Sequence, residues 1–137
     1  MAFDYTQNLK AKLATDGTVA GYVANRIHQN RVPTQEETKL DYLWIRRSNH
    51  RYERTFDESA GTAPLSVLYD VECCSRDLNR SALLADAVRN IFPFSGTFGD
   101  STVKGAFAND QSEDYEPINL SAGVGVHVQT IQVEICP

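Results

Sequence analysis

Residues Leu65 to Cys73 alternate between apolar and polar side chains, and this pattern constrains the fold more than any other feature of the chain. The apolar positions are 65, 67, 69, 71 and 73, and Ser66, Asp70 and Glu72 stand between them. Because successive residues of a strand point to opposite faces of a sheet, a period of two predicts a strand with one buried face. The fold must therefore contain a sheet with another layer packed against it.

A helix is predicted directly after this strand, over Asp77–Phe92. Its apolar stripe at helical spacing consists of Leu84, Ala85, Val88, Ile91 and Phe92. Ser75 or Asp77 offers a side-chain oxygen that can cap the free N–H groups of the first turn. Pro93 ends the helical pattern because proline lacks the backbone donor that would continue it. This helix is expected to cover one face of the sheet.

The last predicted strand, from Val124 to Ile135, contains a slip in its apolar period. Val124, Val126 and Val128 share one parity, whereas Ile131, Val133 and Ile135 have the other. A bulge near Thr130 would bring both sets onto one face. The alternative is a regular strand whose two halves bury opposite faces, which would suit a subunit that packs against neighbours.

Weaker patterns account for the rest of the first half of the chain. Tyr5–Ala14 has the spacing of a short N-terminal helix, and Thr18–Asn25 favours a second helical turn. Arg26–His28 is interpreted as a short strand, and the Tyr- and Trp-rich stretch from Leu40 to Phe56 as a longer one.

In the second half, Thr102–Ala108 favours a strand, whereas two polar stretches are predicted to be connections. These are the Ser- and Gly-rich residues 95–101 and the acidic residues 110–117. The predicted fold class is α+β: a mostly antiparallel sheet of four or slightly more strands, with a long helix on one face and a short N-terminal helix. No composition break divides the chain, so residues 1–137 are expected to form a single domain.

The charge is distributed unevenly. Up to Lys104 the chain has 13 basic and 13 acidic residues, and beyond it five acidic residues and no basic one supply the net charge of −5. A net-acidic chain without a basic stripe is a poor candidate for gripping nucleic acid. The sequence has no apolar run of 18 residues and no signal-peptide pattern at its start, so no membrane contact is expected and the protein is expected in a cytosol.

The search for catalytic or metal-binding motifs gives little. The histidines at 28, 50 and 127 lie far apart in sequence, and Gly96 and Gly99 precede no helix start, so no phosphate loop is predicted. Adjacent Cys73 and Cys74 would point to opposite strand faces, and they are expected to be packing residues rather than metal ligands. We therefore expect no enzyme activity, no metal and no cofactor.

Two charged segments are candidates for contact between subunits. The basic segment carries Arg46, Arg47, Arg51 and Arg54, and the acidic segment carries Asp110, Glu113, Asp114 and Glu116. Each is also consistent with a hydrated surface, and Tyr52 within the basic segment would also allow stacking on nucleic-acid bases. The hypothesis retained here is that the acidic segment of one copy meets the basic segment of the next.

The order of these segments resembles a known family. The carrying residues are Val23-Ala24-Asn25-Arg26-Ile27-His28 leading to Val32-Pro33, then Asp41-Tyr42-Leu43-Trp44-Ile45, then Val67 to Cys73, then the helix containing Leu83 to Val88. With two closing strands, this layout is similar to that of the tail terminator, or tail-completion, proteins of tailed bacteriophages. The resemblance covers nearly the whole chain, and the Arg-Ile-His segment before a proline is its best local marker.

The resemblance implies a structural virion protein and no catalysis. Members of the family form rings, typically hexamers, that stack on the last ring of the tail tube, stop its growth and offer a surface to the head-tail connector or stopper protein. The expected partners are thus other copies of the chain, the tail tube protein and the connector, with DNA only passing through the lumen. The expected location is the virion tail or neck, after assembly in the host cytoplasm.

Two alternatives remain at this point. Another neck component, such as a head-completion or stopper protein, shares the size and architecture. A small cytosolic ligand-binding α+β domain is the alternative from a different class, and it would need a concave apolar pocket lined by convergent polar groups.

Overall fold

The computed structural model describes residues 4–29, 34, 37–51, 66–99, 101–119 and 121–137, with the backbone alone at 48–51 and 119. Three helices are present in these ranges: α1 (Thr6–Thr15), α2 (Gly17–Val23) and α3 (Leu78–Arg89). A single 3-10 turn covers Glu37–Lys39. The strands are β1 (Ile27–Gln29), β2 (Tyr42–Arg51), β3 (Ser66–Ser75), β4 (Phe94–Phe98), β5 (Ser101–Asn119) and β6 (Val124–Cys136). Leu65 and residues 52–56 of the predicted strands lie outside the described residues.

The six strands form one curled sheet in the order β1-β2-β3-β6-β5-β4. β1 runs parallel to β2, and every other neighbouring pair is antiparallel. The predicted four-stranded, mostly antiparallel sheet with a long helix is therefore wrong. The sheet is larger and mixed, and its longest helix, α3, has only 12 residues.

Residues 95–98 of the first predicted connection and all of the second are in strands, which accounts for most of this error. Residues 94–98 form β4, and its glycine at 96 adopts a φ of 100° at a register shift against β5. The acidic residues 110–117 continue β5, paired with β6 from Gln132 to Gly125. Polar composition pointed to turns, but cross-strand hydrogen bonding in a long hairpin overrides local propensity.

The helices all pack against one face of the sheet, called here the helix face. Leu9 and Leu13 of α1 and Val19 and Val23 of α2 are fully buried there. They join one large apolar cluster with Leu84, Ala85 and Val88 of α3 and with Leu43, Ile45, Val67, Tyr69, Val71, Ile131, Val133 and Ile135 of the sheet. The predicted stripe of α3 is thus the buried one, and Asp77 is its N-cap, accepting hydrogen bonds from the backbone N–H groups of Asn79 and Arg80.

The period slip in β6 has no bulge behind it. β3 and β6 pair without a register shift from Val67 with Ile135 to Ser75 with His127. Ile131, Val133 and Ile135 therefore face the helices, while Val126 and Val128 point to the other side, called here the opposite face. The predicted alternative, two halves burying opposite faces, is confirmed.

A second, smaller cluster lies on the opposite face. It consists of Tyr42, Cys74, Val126 and Val128, with Ile118 packed against it. Cys73 belongs to the large cluster and Cys74 to the small one, so each cysteine packs on its own face as predicted. Within the described residues, no helix combines the length and apolar character needed to cross a membrane.

Candidate assembly surfaces

The acidic segment lies on a free edge of the sheet. Asp110 to Glu116 pair with β6 on one side only, because β4 pairs with β5 no further along than Ala106. Asp110, Glu113, Asp114 and Glu116 are all exposed. Among the described residues, no strand lies against the outer edge of this segment, so its outward backbone groups and its carboxylates are accessible together.

An aromatic ring is held flat within this acidic edge. Tyr115 is 48% exposed, and its ring centroid lies 4.9 Å from that of His127 on the neighbouring strand. The ring also covers Gly125, where an added Cβ would overlap the Tyr115 hydroxyl. The absent side chain at Gly125 is therefore what lets the tyrosine lie against the strand instead of extending into solvent.

The first arginine of the basic segment is paired within its own chain. Arg46 Nε lies 2.6 Å from Glu72 Oε2, and the guanidinium carbon lies 5.2 Å from the centroid of the Trp44 ring. Glu72 is almost fully buried on the opposite face. Burial raises the pKa of the Glu72 carboxyl, and the charge of Arg46 opposes that rise. Arg46 thus neutralises the buried carboxylate of Glu72, and the rest of the Arg46 side chain is exposed to solvent.

The other three arginines are less defined. Arg47 is exposed on β2, Arg51 ends that strand and is described by its backbone alone, and Arg54 lies outside the described residues. β2 and β5 are separated by β3 and β6, so the structure does not bring the basic and acidic segments together within one copy.

The register shows which arginine is level with the acidic segment. Arg46 pairs with Asp70, Asp70 with Gln132, and Gln132 with Asp110. Arg51 pairs instead with Ser66, one residue from Val67, whose row continues through Ile135 to Ala106. The far end of the basic segment therefore lies level with the beginning of β5, well away from its acidic half.

A second basic surface was not predicted from the sequence. It is a groove at the start of α3 and β2 whose lining includes Arg26, Lys39, Arg76 and Arg80, with the carboxylates of Asp41 and Asp77. Asp41, which is buried, holds it together: its carboxylate accepts hydrogen bonds from Ser75 Oγ at 2.7 Å and from Arg80 Nε at 2.7 Å. We refer to this surface as the basic groove.

Two further contacts fix the walls of the basic groove. Arg26 donates from Nε to the backbone oxygen of Asp41 at 2.8 Å and from Nη2 to that of Tyr22 at 3.0 Å. Both of these acceptors are uncharged backbone oxygens. Leu40 projects from the same surface and is 58% exposed. Four cations from three segments of the chain meet here, and no local run in the sequence indicates all of them.

A second groove lies between the end of α3 and β5. Its lining includes Asp86, Asn90, Phe92 and Phe107, and its volume is about 580 Å³. The groove is open to solvent, and its lining is partly apolar and partly polar. Arg89, on its wall, donates to Gln111 Oε1 at 3.0 Å, and Gln111 donates in turn to buried Gln129. This chain of hydrogen bonds ties the end of α3 to the hairpin of β5 and β6.

Cys74 and His127, which could in principle act in catalysis, pack against neighbouring aromatic side chains. Cys74 is buried beside Tyr42, and burial raises the pKa of its thiol, which is opposite to what a cysteine nucleophile requires. His127 lies on β6 against Tyr115. Among the residues that the structure describes, no three His, Cys, Asp or Glu side chains are grouped so as to hold a metal ion.

Comparison with known proteins identifies the fold. Searches against family models and against curated proteins give no match. Among solved structures, the chain is similar to one from the virion of a native gene transfer agent particle, with a TM-score of 0.62 and 98% of each chain covered. The two sequences are 10% identical. At that identity the likeness shows a shared fold over essentially the whole chain.

Proposed function

We propose that this protein is a structural subunit of a phage-like virion and that it catalyses no reaction. The observation that carries the proposal is the fold shared, over 98% of both chains, with a component of a gene transfer agent virion. The sequence resemblance to tail terminators supports the same class of protein by a separate route. A virion location and assembly with other virion proteins follow from this proposal.

More specifically, we propose a tail terminator. Copies of the chain assemble side by side into a ring of about six, stack on the last ring of the tail tube, end its growth and present a surface to the connector or stopper protein. Assembly takes place in the host cytoplasm, and DNA only passes through the finished ring. A closed ring needs two different, complementary patches on each subunit. The basic surface near β2 and the acidic surface on β5 have opposite charges and can serve as these patches.

The eight predicted interface residues fit this proposal in different ways. Asp110, Glu113, Asp114 and Glu116 lie on an exposed edge that a neighbouring copy can reach. Among the four arginines, Arg46 is level with that edge across the sheet. We propose both charged segments as intersubunit contacts, with the acidic one as the better-defined half.

The test is an end-capping experiment. Tail tube protein is polymerised with and without this protein, and tube lengths and ends are compared in negative stain. The proposal expects shorter tubes with one added ring at an end. Tubes of unchanged length with bare ends would contradict it, and binding to filled heads before tails would favour a stopper protein instead.

A further inference from the structure

We propose that the ring forms when the acidic edge of β5, centred on Tyr115, docks into the basic groove around Leu40 of the next copy. This inference rests on the proposed ring and names the surfaces that close it. The occupant of the groove is a second copy of this chain.

The two surfaces lie at the same height along the strands. Tyr42 pairs with Cys74, Cys74 with Val128 and Val128 with Asp114. One residue further along, Ser75 pairs with His127 and His127 with Tyr115, and Asp41 bonds to Ser75 at the end of that row. Asp41 and Tyr115 therefore lie at the two ends of one row that crosses the sheet, and Leu40 directly precedes Asp41 in the chain.

Their positions suit a repeating contact. β2 and β5 are three strand spacings apart, or about 14 Å along the curve of the sheet. Because the two surfaces are level, a copy placed beside the first needs no shift along the strand direction to bring its Tyr115 to the neighbour's Leu40. Rotation without translation closes into a ring, whereas a contact with a shift would produce a helical filament.

The charges of the two surfaces are complementary. Arg26, Lys39, Arg76 and Arg80 line the groove against two carboxylates, so that the groove is net positive in a chain whose net charge is −5. Residues 110–116 contain four carboxylates and no basic residue. In a contact between two copies, the positive groove meets the negative strand. This attraction orients the two copies as they approach and disfavours other orientations.

Each surface also has a large exposed apolar side chain. Leu40 is 58% exposed on the lining of the groove, and Tyr115 is 48% exposed on the acidic edge strand, where Glu113 shares its face and the neighbouring Asp114 and Glu116 point to the opposite face. An apolar centre within a charged rim is the usual arrangement of an interface, with most of the binding free energy at the centre. Tyr115 is also pre-positioned by Gly125 and His127, so little side-chain freedom is lost on docking.

Reciprocal charge reversal tests this pairing. One double variant changes the groove, Lys39→Glu with Arg76→Glu, and the other changes the strand, Glu113→Lys with Glu116→Lys. The first variant changes the charge of the groove from +2 to −2 against the acidic strand, and the second changes that of residues 110–116 from −4 to zero, so every contact loses its electrostatic attraction. We expect the protein concentration needed for half-assembly to rise about tenfold or more. An equimolar mixture should form rings at a clearly lower concentration than either variant alone, because alternating copies have one wild-type contact and one contact in which the reversed charges meet as opposites.

The matched controls reverse exposed charges outside the interface. Lys104→Glu and Asp86→Lys change the same charge types and should leave ring formation as in wild type. Folding of every variant is followed by its circular dichroism spectrum and urea midpoint. If a double variant does not fold, the single changes Lys39→Glu and Glu113→Lys form a milder reciprocal pair.

The outcomes separate this inference from the proposed function. Rings in both double variants, or a mixture that fails to restore them, would overturn the pairing while leaving the ring itself in place. A wild-type protein that forms no ring, with or without tail tubes, would overturn the proposed function and this inference together.

Discussion

The two halves of β6 bury the same kind of side chain on opposite faces of the sheet. From Ile131 to Ile135 its branched residues pack beneath the three helices in the large cluster. Val126 and Val128 pack on the other face, in a cluster of four buried residues. Only the parity of the positions differs, since the strand runs without a bulge against β3.

This difference shows where the large cluster ends along β6. Its last member on this strand is Ile131, and Gln129 on the same face is a buried polar group bonded to Gln111. Beyond it, His127 lies beneath Tyr115 at the exposed hairpin. The buried apolar residues of β6 switch faces at this point, and the exposed end of the hairpin of β5 and β6 is the surface proposed for docking.

The largest expected effect comes from truncation beneath the helices. Val133→Ala is expected to lower the free energy of unfolding by about 3 kcal/mol, because the fully buried site is enclosed on all sides and cannot collapse around the lost methyl groups. Urea unfolding measures it. A loss below about 1 kcal/mol would mean that the helix layer is loosely packed.

The same substitution in the other half gives the matched comparison. Val126→Ala removes identical atoms from a fully buried site, but in a small cluster that can relax. We expect the free energy of unfolding to fall by about 1.5 kcal/mol, mainly the free energy of transferring the removed methyl groups out of water. Equal losses at both sites would remove the energetic distinction between the two halves.

The opposite face is also expected to depend on pH. The pKa of Glu72 is raised above its usual value near 4.5, chiefly by burial, so the folded state holds this proton more tightly than the unfolded chain. The stability contribution of Glu72 is present below its unfolded pKa and is lost as pH rises through its folded pKa.

Glu72→Gln removes that proton equilibrium. Compared with wild type, the variant should lose less stability between about pH 4.5 and neutral pH. Urea midpoints across that range measure the difference. Parallel pH profiles would show that Arg46 fully compensates the buried charge and that Glu72 titrates normally.

The smallest expected effect on folding is at the hairpin surface. Tyr115→Ser removes an exposed ring and should change the free energy of unfolding by no more than about 0.5 kcal/mol. The same change should weaken ring formation clearly, because the ring is the proposed centre of the contact. Unchanged assembly would show that Tyr115 only shields Gly125.

Local patterns predicted the parts of the fold that bury one face under the helices. The alternation in β3, the stripe of α3 and its Asp77 cap all depend on neighbours close in sequence, and all are present. β4 and the acidic half of β5 were missed because Ser95, Gly96 and Thr97 and the acidic run have the composition of turns. Pairing across two hairpins, of β4 with β5 and of β5 with β6, makes these segments extended.

The candidate surfaces divide in the same way. The acidic segment is contiguous, so the sequence located it, although as a turn. The basic groove draws Arg26, Lys39, Arg76 and Arg80 from three segments of the chain, which are joined by the hydrogen bonds of Asp41 and by that of Arg76 with Thr38. Its assembly depends on the pairing of β2 with β3, which composition does not encode locally.

The most direct test of the account is the native mass of the wild-type protein over a range of concentrations, with negative-stain images of the same samples. One chain is 15.3 kDa, so a ring of about six copies would have a mass of about 92 kDa. If the chain is a tail terminator, closed rings of that mass form alone or when tail tubes are added. A protein that stays at the mass of one chain in both conditions would contradict the account.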